Sequence, residues 1–276
     1  MAWQALSGLL GSVVYTLGFT FPYLAGAAVV FAVLSRISPC NAGRGWWRKR
    51  GLATDLAYWL LIPVLARYAR IGFTVLFTVT LLGLSSSEAI AGFYAHGHGP
   101  LAALPLWAQI ALYLLVSDFL LYWIHRAFHG AALWKFHAVH HSSQDLEWIS
   151  AARFHPINII FGTTLVDVLA LVAGIKPDVF FFLMPFTTLS SVFVHANLDW
   201  TLGPLKYVLV GPVFHRWHHT LPGEGGNRNF ATNFAFFDLL FGTFYLPAGK
   251  LPQRYGIAEQ DFPESLGLQV LYPLMR

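Results

Sequence analysis

The sequence predicts an all-α, polytopic membrane protein: four to five membrane-embedded helices, with a cytoplasmic helical cap that carries the histidine-rich segments. Three observations predict it. First, the 276 residues are 56% hydrophobic and only 11% charged, whereas a soluble domain carries about 25% charged residues. Second, no Asp, Glu, Lys or Arg stands before Arg36, between Glu88 and Asp118, or between Val179 and Asp199, and about 20 apolar residues cross a bilayer. Third, long apolar runs are present and period-two alternation, the mark of half-buried strands, is not.

Taken in order, the first span covers about residues 11–35 and, lacking a basic leading segment, reads as a retained helix. The second covers about 56–84 and contains Arg67 and Arg70, so one long helix and two shorter segments are both open. The third covers about 104–124. A hairpin of 157–174 and 179–195 follows, turning at "GIKPD". Arg36, Arg44, Arg48, Lys49 and Arg50 crowd the first loop, beside Trp46 and Trp47. Basic short loops stay cytoplasmic and tryptophans favour the headgroup layer, so the amino terminus is expected outside. With no nucleic-acid-binding motif beside it, that cluster gives no reason to expect nucleic acid as a partner. Cys40 is alone, which excludes an internal disulfide and a thiolate metal site.

This topology sorts the twelve histidines. His96 and His98, in a glycine-rich loop, fall on the outer face as ordinary polar residues. The other ten, His125, His129, His137, His140, His141, His155, His195, His215, His218 and His219, fall on the cytoplasmic side. In "DFLLYWIHRAFHG", Asp118, Tyr122, His125 and His129 share one helical face. His125 and His129 are one turn apart, close enough for two imidazoles to reach one metal, but Arg126 stands where a zincin helix has its glutamate. A carboxylate inside an apolar span is costly and usually functional. Asp118 is therefore expected to accept a hydrogen bond from a ligand imidazole, with a structural bond to a neighbouring helix as the rival. "HAVHH" and "HRWHH" place histidines at i, i+3 and i+4, so each is expected to offer three nitrogens to one place. Neutral imidazoles packed in a nonpolar region need partners, and metal ions supply them. One ion takes four to six ligands, so nine or ten histidines imply two ions, and imidazole suits zinc, copper, iron and nickel alike.

The succession HRAFH, HAVHH, a lone histidine in "VFVHANLDW" and HRWHH resembles the fatty acid hydroxylase and sterol desaturase superfamily. "NFATNFAFFDLLFGTFYLP" and "RYGI" resemble its carboxy-terminal stretch, so the likeness covers roughly residues 115–260. The resemblance implies three regions: amino-terminal spans and loops over 1–100, a catalytic domain over 101–260 and a tail over 261–276. It implies a membrane-embedded non-haem diiron oxygenase that uses O₂ to attack a lipid C–H bond. By the matching boxes, His125, His129, His137, His140, His141, His195, His215, His218 and His219 would be the ligands. Where one branch of the family has a further histidine, this chain has Asp199, so Asn197 (directly or through water) and His155 are candidates for the tenth position. Asp238 would support a ligand from behind. Zinc is a possible substitute for iron in purified protein.

The chain has no haem-attachment motif, no cluster-binding cysteines and no dinucleotide fingerprint. "GEGGN", residues 223 to 227, follows a histidine cluster rather than a strand and reads as a loop. Electrons are therefore expected from a separate ferredoxin, cytochrome b5 or reductase, and the substrate from the bilayer. Hydroxylation is favoured over desaturation on the same site. A haem electron-transfer protein would need paired axial histidines on facing spans. A metal transporter would want ligands near the bilayer midplane, open to both faces.

Overall fold

The computed structural model describes the backbone of residues 2–43 and 45–276; the side chains at 2–9, 12, 19 and 181 lie outside that description, as does Arg44 of the basic loop. Among the described residues eleven α-helices follow in order. They are α1 (Ala2–Ile37), α2 (Leu52–Leu82), α3 (Ser87–His96), α4 (Leu106–Phe128), α5 (Ala131–His141), α6 (Pro156–Ile159), α7 (Leu165–Ala173), α8 (Pro177–His195), α9 (Pro212–His218), α10 (Phe236–Leu240) and α11 (Leu266–Leu271). Among the described residues there is no strand, only an isolated bridge between Thr220 and Tyr255. The all-helical expectation holds.

Five segments are long and apolar enough to cross a membrane: Val13–Ile37, Leu52–Leu82, Leu106–Phe128, Pro156–Ala173 and Pro177–His195. They alternate in direction. The carboxyl ends of α1, α4 and α8 and the amino ends of α2 and α6 meet at one end of the bundle, here called the histidine end. The α7–α8 turn marks the other end, where the Lys176 N–H donates to Gln109 near the start of α4 at 2.9 Å. Gly174 makes that turn possible: its φ is +109°, and a Cβ there would meet the His98 carbonyl oxygen at 2.3 Å. His98 is tied to the Val172 carbonyl at 2.7 Å, and His96 is exposed, both remote from the other histidines.

The second span is one helix of 31 residues despite Arg67, Arg70 and Pro63. Its arginines are answered inside the bundle. Arg67 donates to Thr16 at 3.2 Å and lies over the Tyr15 ring. Arg70 pairs with Asp167 of α7 at 2.6 Å, and Tyr113 of α4 donates to the same carboxylate at 2.5 Å. The fourth span bends at a π-turn over residues 160–164, where Gly162 leaves helical geometry (φ −95°, ψ −112°).

At the histidine end the spans and cap share one core. Phe31, Tyr58, Trp59 and Val192 from the spans pack with Val139, Trp148, Ile149 and Leu198, and the Trp59 indole N–H donates to the Ile149 carbonyl at 2.9 Å. The basic loop is less uniform than its composition suggests. Arg36 and Arg48 are exposed, but Lys49 is buried. Its ammonium contacts Asp55 and donates to Ser143 and Ser150 at 3.1 and 2.8 Å, while Arg153 holds the other oxygen of Asp55. One fully buried carboxylate thus joins the first loop, α2 and the segment after α5.

Removing one member of a buried charge network strands the rest, at about 3–5 kcal/mol. Asp55→Ala should therefore lower the melting temperature of detergent-solubilised protein sharply; a melting temperature equal to wild type would contradict the network's role.

Candidate metal centre

Four elements deliver nine histidines to the histidine end. The last turn of α4 carries His125 and its cap is His129, α5 carries His137, His140 and His141, and α8 ends on His195. His215 and His218 lie on α9, and His219 is its cap. They form two adjoining groups. His125, His129, His137, His141 and His218 make one, and His140, His195, His215 and His219 the other; within each, the potential ligand atoms lie within 4.8 Å of one another. The His141 and His219 rings stack at 4.4 Å where the groups touch.

The division corrects one sequence expectation. Neither three-histidine box serves a single place. In each, the i, i+4 pair enters one group and the third histidine the other: His137 and His141 against His140, and His215 and His219 against His218. Residues at i+3 and i+4 stand on opposite sides of position i, so a helix lying between two sites feeds both.

The donor set fits cations. The Nδ1–H groups of His125, His140, His195 and His218 donate to the carbonyls of Phe230, Arg153, Ser191 and Arg228 at 2.8, 3.1, 2.7 and 2.7 Å. A carbonyl can only accept, so these rings carry their proton on Nδ1 and turn a bare Nε2 lone pair inward. In the five-histidine group every Nε2 is buried without a hydrogen-bond partner. In the four-histidine group the His140, His195, His215 and His219 Nε2 atoms follow one another at 3.3, 3.2 and 3.0 Å. His140 and His195 both keep their proton on Nδ1, so between these two the Nε2 lone pairs face each other and repel unless a positive charge stands between them. Protons are poor candidates. Burial, with the neighbouring rings, pushes His129, His137, His140, His141, His215, His218 and His219 well below the ordinary imidazole value of 6.5.

The supporting residues differ from expectation in three places. Asp118 touches no imidazole: it accepts from the Asn233 backbone and side-chain amides at 2.9 and 3.1 Å and from the Phe234 N–H at 2.8 Å. These are bonds of the structural kind, although the partner is a loop rather than a helix. Asn197 is turned away from the rings, accepting from the Asn41 N–H at 2.9 Å and donating to the Asn41 carbonyl at 3.0 Å. His155 caps α6, accepting from Ile157 at 3.1 Å, and its other nitrogen meets the Val270 carbonyl at 3.0 Å. Neither nitrogen is free, and His155 stands outside both groups. Asp199 is exposed and also outside them.

Asp238 acts at one remove. It accepts from the Phe230 and Ala231 N–H groups at 2.7 and 2.8 Å, and so fixes the carbonyl that orients His125. Thr243 donates to the same carboxylate at 2.6 Å and meets the Tyr122 hydroxyl at 2.7 Å. Tyr122 thus braces this support from the shared face of α4.

Sequence reasoning missed two contributors. Asn158 contacts His137 Nδ1 at 3.0 Å through its side-chain amide. Arg216, inside "HRWHH" and 1% exposed, donates to the Leu146 and His195 carbonyls at 2.9 and 3.1 Å, to Asn41 Oδ1 at 2.7 Å and to the Tyr255 hydroxyl at 3.1 Å. The available signal was a charged residue locked between histidines on a short helix. "GEGGN", expected as a loop, lies in a π-turn over Pro222–Gly226 that leaves helical geometry at Gly225. It turns tightly at Gly226, where a Cβ would fall 1.7 Å from the Thr220 carbonyl oxygen.

Known proteins share this arrangement of sequence. The family model described as fatty acid hydroxylase matches residues 110–243. The ornithine lipid hydroxylase OlsE of Rhizobium tropici is 31% identical over 273 residues, covering 93% of this chain and 78% of that protein. The alkylglycerol monooxygenase of Homo sapiens is 33% identical, over 50% of this chain and 31% of its own length. Methylsterol monooxygenase 2-2 of Arabidopsis thaliana is 30% identical, over 55% and 59%. No solved structure matches. A hydroxylase relative aligned along nearly the whole chain, with the histidines gathered as described, means that the chain belongs to the fatty acid hydroxylase and sterol desaturase superfamily.

Proposed function

We propose that this protein is a membrane-embedded diiron oxygenase that hydroxylates a lipid C–H bond. The observation that carries the reading is the pair of adjoining buried histidine groups, one with every Nε2 unpartnered and the other with its four Nε2 atoms following one another at 3.0–3.3 Å. His125, His129, His137, His141 and His218 would hold one iron, and His140, His195, His215 and His219 the other, zinc substituting where iron is scarce. Iron held there would supply the redox chemistry that oxidises an unactivated C–H bond with O₂ and external electrons. The chain's own work is positional. Carbonyls fix four of the ring tautomers, Asp238 holds the carbonyl that orients His125, the Asn158 amide contacts His137, and burial keeps bulk water away.

The substrate would enter from the bilayer, since the histidines lie where α4 and α8 end. The likeness to an ornithine lipid hydroxylase, over 93% of this chain and 78% of that protein, makes an aminolipid the first substrate to try. Hydroxylation is preferred to desaturation because the relatives named above are hydroxylases and monooxygenases. The exposed Arg36, Arg48 and Arg50 support a cytoplasmic histidine end, with the amino terminus outside, and on the cytoplasmic side a ferredoxin, cytochrome b5 or reductase would deliver electrons. In this reading residues 101–260 are the catalytic domain, 1–100 its membrane scaffold and 261–276 a tail.

Carefully purified protein should contain about two iron or zinc ions per chain, the content that two groups of imidazole ligands imply. His129→Ala and His215→Ala should each deplete one site, while His96→Ala and His155→Ala keep full metal. Elemental analysis finding metal far below one ion per chain, or equal loss from His155→Ala, would refute the ligand assignment. Asp238→Ala should weaken metal binding or turnover by about 10–100-fold through loss of His125 orientation. Mass spectrometry of lipids from cells with and without the active protein should show a substrate gaining one oxygen atom; a product that has lost two hydrogens would instead identify a desaturase.

The depressed imidazoles set a pH dependence. Below 6.5 an unfolded chain binds protons that the folded chain refuses, so stability falls as pH falls. Protonation also competes with metal at the same nitrogens. Lowering the pH from about 7 to about 5 should therefore release metal and destabilise the protein together, as followed by equilibrium dialysis and thermal unfolding; metal content that stays level across that range would contradict the assignment.

A further inference from the structure

Large apolar side chains stay exposed outside the five spans. Between α9 and α11 the most exposed of them is Leu240, at 69%, with Leu239 beside it at 44%. Both belong to α10, which is far too short to cross a membrane. Its depth in the bundle can be read from what holds it.

Phe230 stands at the level of the histidines, since its carbonyl accepts from His125. Three residues on, Asn233 is gripped by two spans. Asp118 of α4 accepts from both its amides, and Ser190 of α8 donates to its side-chain oxygen at 3.1 Å. Asp118 precedes His125 by two turns, about 10 Å along the helix axis, and Ser190 precedes His195 by about 7–8 Å. The chain has therefore descended from the histidine level into the thickness of the bundle. There α10 lies along the outer flank of α4: Phe237 packs on Phe119 at 5.8 Å and Phe241 on Trp123 at 4.8 Å. Phe119 and Trp123 are themselves exposed residues of a span. The chain then climbs back to Thr243, whose carbonyl accepts the Asn229 N–H at 3.0 Å and closes the neck of the loop.

We propose that residues 229–244 form a re-entrant segment immersed in the leaflet on the histidine side, with Leu239 and Leu240 against lipid acyl chains. The occupant of this surface follows from continuity, because α10 extends the apolar flank of α4 without a polar break at Phe119 and Trp123. Hydrogen bonding agrees. Backbone at membrane depth must find its partners within the protein, and here two carboxylates supply them. Asp118 takes the N–H groups of 233 and 234, and Asp238 those of 230 and 231. The Asp238 carbonyl takes those of Thr243 and Phe244 at 2.8 and 3.0 Å. Asp118 is thus a positioning residue, held within a span because it anchors a loop that water does not reach. The inference rests on the spans and not on the chemistry at the histidines.

The test reads depth, not turnover. In a Cys40→Ala background, Leu240→Cys carries a bimane label and the protein is reconstituted in phosphatidylcholine vesicles, with or without brominated acyl chains. Leu115→Cys, exposed on α4, marks the lipid reference, and Lys250→Cys, exposed beyond the segment, marks the aqueous one. Brominated chains should quench the label at 240 to an extent comparable with 115, and iodide on both faces should quench only 250. A label at 240 that iodide quenches as it does 250, and that brominated lipid spares, overturns the proposal. Asp118→Ala, in protein whose helical circular dichroism is retained, should shift the label at 240 towards the aqueous pattern, with Asp118→Asn between. An unchanged depth in folded Asp118→Ala removes the anchoring role. If Asp118→Ala does not fold, the comparison with native Asp118 still decides the depth.

Discussion

Buried imidazole lone pairs aimed at one another are the constraint on which this structure depends. A neutral histidine can satisfy both nitrogens only if one donates and the other accepts. Here carbonyls have claimed the Nδ1 protons of His125, His140, His195 and His218. Their Nε2 lone pairs face inward, and those of His140 and His195 meet at 3.3 Å with no proton between them. Nothing in an apolar bundle end relieves that repulsion except positive charge, and burial resists protonation. The need for cations is thus built in by the backbone around the rings, not by the rings alone.

That backbone must itself be held rigidly, and buried charge does much of the holding. Arg216 ties the Leu146 and His195 carbonyls to Asn41 and Tyr255, joining the loop before Trp148, the end of α8, the first loop and the carboxy-terminal region. Lys49, Asp55 and Arg153 do the same between the first loop, α2 and the residue whose carbonyl orients His140. Each ion is costly to bury alone, so these networks stand or fall as units. The amino-terminal spans are consequently not a detachable anchor, since their first loop is wired into the walls of the histidine site.

Much of this was legible in the sequence, for reasons that are local. Apolar length marks the spans, and the order and spacing of HRAFH, HAVHH, His195 and HRWHH mark the nine histidines. What was not legible depends on residues far apart in the chain. The spacing of HAVHH cannot show that His140 parts from His137 and His141, because that follows from where α8 and α9 cross α5. Asp118 looked like a ligand's support because it shares a helical face with His125, yet its partners are 115 and 116 residues away. Asn197 sits next to the box histidine His195 but spends its amide on Asn41, 156 residues distant. His155 was misplaced for the opposite reason: a cap two residues long satisfies it before it can reach the rings.

The two buried aspartates show how a membrane setting changes the meaning of a carboxylate. In water, an aspartate beside a histidine box is most simply an orienting acceptor. Inside the bundle the scarce resource is an acceptor for backbone N–H groups, because no solvent is there to serve them. Asp118 and Asp238 each accept from consecutive backbone amides of the 230–234 stretch. That stretch includes Phe230, whose carbonyl sets the tautomer of His125. The site therefore reaches its carboxylates through a peptide bond: charge fixes the loop, the loop presents a carbonyl, and the carbonyl leaves the imidazole lone pair facing inward. Orientation by backbone costs no exposed side chain near the histidines, and it lets one loop both pack on the flank of α4 and aim His125.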